Sequence, residues 1–203
     1  MRMRVLLLVW SGLMLTWLGA AVFGWGNAET GSAQPLVQIR SASDLVPAQI
    51  EAQATPEYYL GEGHLLVLIA VTALSVLLPL RAKPLRIVAG LAYLAVGGYL
   101  GYTAWSGDPP AEVGTMVGYV VAGALVLAGL FFFADQRGAV GIVAGVAALA
   151  GAAWNTHAVV AVALPDDGRP GLGAVCLTLG YVLVAAGSFA ALGDHGRRSN
   201  RRA

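Results

Sequence analysis

What this chain has least of is charge, and the charge it has is kept out of its apolar stretches. Asp, Glu, Lys and Arg make up 11% of its 203 residues, against roughly 25% in an average soluble domain. None of the four occurs in Val5–Gly24, Leu65–Leu80, Ile87–Trp105, Thr115–Ala134, Ala139–Leu164 or Leu172–Gly193. Proton relays, ion-coupled transporters and voltage sensors place ionisable groups at bilayer depth, so this absence argues against coupled transport by a single copy. Cysteine is nearly missing too. Cys176 alone allows no disulfide, CxxC pair or haem-attachment motif within the chain, and its apolar neighbours predict a packing role with an inert thiol. The chain lacks GxSxG, a Walker loop, HExxH and a strand-to-helix GxGxxG, which excludes the familiar hydrolase, phosphate-loop and zinc-protease sites. The acid pairs Asp166/Asp167 and Asp108/Glu112 lie in Pro/Gly-rich turns and are expected to be solvated turn formers.

What is abundant is apolar length: 58% of the residues are hydrophobic. A hydrocarbon core of roughly 30 Å needs about 20 apolar residues at about 1.5 Å each. The six charge-free runs meet that need and predict spans at about 5–24, 63–80, 87–105, 115–134, 139–164 and 172–193. The expected fold is an all-α integral membrane protein of six transmembrane helices in three antiparallel hairpins, one membrane domain filling residues 1–203. Placing the N-terminus inside puts ten of the twelve basic residues inside and nine of the eleven acids outside; Asp135 and Asp194 are the inner acids. Lys/Arg bias in short loops orients spans, so both termini are predicted to be cytoplasmic. Eleven arginines against one lysine, with heavy use of Ala, Gly and Val, suggest a GC-rich bacterial genome and hence a bacterial cytoplasmic membrane. Arg2 and Arg4 before the first run resemble a signal peptide, but a cleavable apolar core has about 7–15 residues. The longer run here predicts a retained signal-anchor, with cleavage near Ala28 or Ala33 as the alternative.

Outside the spans, residues 25–62 form a 38-residue loop with Pro35, Pro47, Pro56 and five acids. It is too poor in apolar residues for its own core and is expected to lie as a flap over the outer mouth, with a short interfacial helix near Ser43, Asp44, Leu45, Val46 and Ile50. Residues 194–203 form a basic tail expected to rest on anionic lipid headgroups, each Lys or Arg contributing about 1 kcal/mol near such a surface. So short a tail beside a span does not suggest nucleic-acid binding.

Two hairpins look like diverged copies. Ile87-Val88-Ala89-Gly90 and Ile142-Val143-Ala144-Gly145 open them, and Gly118-Tyr119-Val120 and Gly180-Tyr181-Val182 mark their return spans. Gly97/Gly101, Gly114/Gly118 and Gly141/Gly145 are GxxxG pairs, whose missing side chains let helix backbones approach where lipid offers no hydrophobic drive for association. Their spacing is equally compatible with packing inside the chain and with dimerisation, so a membrane-protein partner and a homo-oligomer both remain open.

The polar cluster Trp154-Asn155-Thr156-His157 should lie near the outer interface, roughly 27 Å across from Ala139. His64, with Glu62 beside it, opens the second span at a similar depth. Two imidazoles with a carboxylate could hold haem or a metal; the plainer expectation is interfacial polar caps and no cofactor. The leading functional expectation is therefore a non-catalytic accessory, scaffold or assembly subunit of a membrane complex. The alternatives are a transporter or channel for a neutral or apolar solute, or a membrane redox or lipid-modifying enzyme using His64, His157 and Glu62.

Overall fold

A computed structural model of the chain describes residues 3–24, 36, 62–80, 82–106, 112–160 and 170–199. Among them there are six helices and no strand: α1 (Met3–Ala21), α2 (Glu62–Val76), α3 (Lys83–Ser106), α4 (Glu112–Phe133), α5 (Arg137–Ala158) and α6 (Leu172–Ser199). Five of them are long and apolar enough to cross a membrane. The exception is α2, whose 15 helical residues rise only ~22 Å against a hydrocarbon core of roughly 30 Å. It therefore falls short of the expected 63–80 span, and Pro79 supplies the reason. Proline lacks an N–H and its ring collides with the carbonyl four residues back, while the residue before it is pushed out of helical geometry. The chain accordingly leaves α2 through tight turns in which Leu78 N–H bonds to the Ser75 carbonyl and Leu80 N–H to that of Leu77.

Helix α3 begins earlier than the apolar run. Lys83 and Pro84 open its first turn, with Arg86 N–H reaching back to the Ala82 carbonyl at 3.1 Å. Pro84 is tolerated there because first-turn N–H groups have no helical partner to lose.

Three helix pairs carry most of the packing: α1 with α6, α3 with α4, and α5 with α6. All three run antiparallel. Val9 lies by Gly187 and Gly19 by Gly173; Gly90 meets Gly129, and Gly97 meets Ala122; Gly138 is near Leu192 and Gly151 near Tyr181. The principal neighbour of α1 is thus the last helix rather than α2, its expected hairpin partner. Helix α2 sits between the pairs, against α5 and α4, with little contact to α1. The interior divides accordingly. One core joins α1, α2, α5 and α6 around Leu13, Leu68, Leu177 and Tyr181. The other joins α2, α3, α4 and α5 around Leu74, Tyr93, Leu125 and Phe132.

The α1–α6 seam is built on glycines seven residues apart, Gly12 and Gly19 on one helix and Gly173, Gly180 and Gly187 on the other. A seven-residue repeat keeps one stripe facing a partner along a left-handed crossing. At Gly12, Gly19, Gly173 and Gly180 the approach of the facing backbone is close enough to exclude any side chain. A Cβ at Gly19 would lie 2.6 Å from the Gly173 carbonyl oxygen, and one at Gly180 would lie 2.6 Å from the Thr16 nitrogen. Gly173 N–H also bonds to the Gly24 carbonyl at 2.9 Å, giving the first turn of α6 an acceptor from the end of α1.

The turn between α4 and α5 explains one of the two acids expected inside. Gln136 N–H bonds to the Phe131 carbonyl and Asp135 N–H to that of Phe132, the paired bonds of a Schellman cap. Asp135 takes the left-handed position, φ 55°, which Asp tolerates better than most residues. Its carboxylate forms an ion pair with Arg86, whose side chain is only 6% exposed while that of Asp135 is 63% exposed.

Candidate functional site

Three of the chain's polar side chains tie helices together. Asn155, in the last turns of α5, is fully buried; its amide donates to the Ala174 carbonyl at 2.8 Å and to Thr178 Oγ1 at 2.7 Å, both on α6. Trp17 Nε1 donates to Thr72 Oγ1 at 3.0 Å, joining α1 to α2, and the Tyr93 hydroxyl donates to the Ala73 carbonyl, joining α3 to α2. Others fold back on their own helix, as Thr16 does to the Leu13 carbonyl and Thr156 to that of Ala152.

The two candidate histidines, His64 and His157, occupy different environments. His64 is fully buried, its ring stacked on that of Tyr181 with centroids 6.3 Å apart and planes 29° from parallel. It is thus a core residue rather than an interfacial cap. His157 is exposed on the last turn of α5. The Glu62 side chain lies outside the described residues, as do the other flap residues except Leu36, the side chains of the acid pairs Asp166/Asp167 and Asp108/Glu112, and the end of the basic tail. Among the described residues no three of His, Cys, Asp and Glu come together. Of the cluster Trp154-Asn155-Thr156-His157, it is Asn155 that the fold buries and uses. Cys176 is buried and lies in the α1–α6 seam, its Cβ 3.1 Å from where a Cβ on Gly19 would be.

The GxxxG glycines face neighbours within the chain. Gly97 packs under the Ala122 carbonyl, Gly101 opposite the Ala122 methyl, and Gly118 opposite Ala104. Gly141 meets the Ser188 carbonyl and Gly145 the Phe189 ring; the surroundings of Gly114 are outside the described residues. The suspected copies have also diverged in environment, since Tyr181 is completely buried whereas Tyr119 is 44% exposed.

Between α4 and α5 the helices part over a cavity of about 440 Å³ floored by α2 and lined almost entirely by apolar atoms. Ala70, Val71 and Leu74 form the floor; Tyr119, Gly123 and Leu127 of α4 and Ile142 and Val146 of α5 lie along the sides. Comparison of the chain with protein-family models, with curated proteins and with solved structures finds no match.

Two features of this arrangement were not visible in the sequence reading. The glycines of the α1–α6 seam recur every seven residues, a longer period than the GxxxG spacing that drew attention. Leu36, within the 25–62 loop, is fully buried in the first core; its signal was an apolar pair, Leu36-Val37, beside Pro35.

Proposed function

We propose that this chain is a non-catalytic accessory or scaffold subunit of a complex in the bacterial cytoplasmic membrane, a six-span protein with both termini cytoplasmic. The observation that carries this reading is the use of its interhelical polar groups. Asn155, Tyr93 and Trp17 each bridge two helices, so they fix the shape of the bundle rather than converge on one reacting point. A membrane-protein partner has α3 as its most open face. Only 22% of the membrane-length window of α3 is buried, against 39–44% for the four other long helices, and Tyr99, Tyr102 and Trp105 stand exposed along it. The GxxxG faces, engaged inside the chain, offer less to a partner. The basic tail supplies attraction to anionic headgroups, and the 25–62 loop an outer contact.

The test is purification from native membranes in mild detergent. A stoichiometric membrane-protein partner is the expected result; a folded chain alone, from every mild detergent tried, refutes the reading. A Soret band or stoichiometric metal, lost in His64→Ala and His157→Ala, would point to the enzyme alternative instead. Sidedness is checked by reporter fusions, expected outside at Gly107 and Gly168 and inside at Gly138. A second reading, handling of a neutral or apolar solute, is favoured by the apolar cavity between α2, α4 and α5.

A further inference from the structure

We infer that the groove between α2, α4 and α5 is a binding site for the paired acyl tails of a membrane phospholipid. This rests on the apolar-solute reading and is independent of whether the chain has a protein partner. The groove begins with a missing side chain. Gly123, at the middle of α4, has no atom within 4 Å of where its Cβ would be. Around this gap α4 and α5 diverge, and α2 closes the back with Val71 and Leu74, both fully buried. The rim faces outward: Val120 is 70% and Val146 55% exposed.

Dimensions decide the occupant. From Tyr119 to Leu127 the groove follows eight residues of α4, about 12 Å of helix rise. A volume of about 440 Å³ over that length gives a mean section of ~37 Å² for the centres of occupying atoms, ~7 Å across. Carbon chains pack with about 3.5–4.0 Å between atoms, so two extended chains lie abreast in this width. The volume also falls within the range of about 300–1,000 Å³ usual for ligand pockets. The wall chemistry agrees. The lining is almost wholly apolar, and at bilayer depth a polar solute would meet no hydrogen-bonding partner to offset its desolvation. The Tyr119 hydroxyl is the one side-chain polar group among the lining residues, set at the outer end of the groove where an ester can meet it.

The experiment is native mass spectrometry of the full-length protein released from detergent, with lipid extraction of the same sample. Wild type is expected to retain one phospholipid per chain. Gly123→Leu, which fills open space, is expected to lower the retained fraction at least tenfold while leaving the unfolding temperature unchanged or higher. Val146→Phe, at the opposite wall, should do the same, so a folding defect in one variant leaves the other to decide. Gly98→Leu, also into open space but on α3, should retain the lipid. Equal retention by wild type and both groove variants overturns the inference, as does a single-chain or polyprenyl lipid in place of the phospholipid. Labelling of Val120→Cys by a membrane-impermeant thiol reagent, in a Cys176→Ser background, would mark the groove as water-filled and overturn it too. A phospholipid retained without a partner protein would leave the accessory reading to fail on its own test.

Discussion

Replacing Gly180 by alanine adds one methyl group where the α1–α6 seam has least room. The new carbon would stand 2.6 Å from the Thr16 nitrogen and its Cγ2, and 2.7 Å from the Gly12 carbonyl oxygen. Ordinary contact needs about 3.5 Å, so the helices must separate by ~0.8 Å. A gap of about 0.5–1 Å forfeits a quarter to a half of the dispersion attraction of each pair it opens, and here it opens along the seam. Overpacking of this kind costs about 1–3 kcal/mol, partly offset by the advantage of alanine over glycine in a helix, about 1 kcal/mol. Gly98→Ala is the internal control. Nothing lies within 4 Å of its added carbon, so it keeps the propensity gain without the clash. The two variants are expected to differ by about 1–3 kcal/mol, a separation of roughly 2–10 °C in unfolding temperature for a chain of this size. The chain carries its own reporter, because Cys176 is its single cysteine and is buried in the same seam. Its exposure to a fluorogenic thiol reagent during heating in detergent follows the opening of α1 from α6. If Gly180→Ala unfolds at or above the temperature of Gly98→Ala, the close seam is wrong.

Asn155→Ala removes two bonds from α5 to α6. Interhelical hydrogen bonds in membranes contribute on average about 0.6 and at most about 1.7 kcal/mol, so the unfolding temperature should fall by a few degrees. No fall would mean that Asn155 does not tie α5 to α6. At Asp135, alanine and glycine both remove the ion pair with Arg86, but only alanine must hold φ 55°. The left-handed conformation costs an ordinary L-residue about 1–2 kcal/mol, so Asp135→Ala should be less stable than Asp135→Gly by about that amount. Equal unfolding temperatures for the pair would contradict the cap.

The membrane character and the rough bounds of the helices were legible in the sequence because both follow from local properties, apolar run length and the position of charge. Pro79 marked the end of the second apolar segment, though not that α2 would stop at Val76. The partner of each helix was harder to read. Chain order pairs α1 with α2, but association in lipid depends on how closely backbones approach, and the seven-residue glycine stripe on α1 finds its match at the far end of the chain. His64 shows the same limit. A histidine at the start of an apolar run reads as an interfacial group, and only the packing of α2 beside α6 brings its ring onto Tyr181. The groove was invisible because it is a space between helices, closed at the back by α2 from much earlier in the chain; Gly123 is one of 27 glycines, and composition alone cannot single it out.

The central claim is that the first and last helices close against each other and so bring both ends of the chain to one face. A Cβ at Gly187 would lie 3.2 Å from that of Leu8, close to the separation of about 3.5–4.5 Å that a disulfide needs. The direct measurement is oxidation of Leu8→Cys/Gly187→Cys in a Cys176→Ser background, in native membranes, with a protease site placed at Gly107. After cleavage, the fragments carrying α1 and α6 should stay joined without reductant and separate with it. Fragments that separate without reductant, or that join only between copies of the chain, would contradict the account.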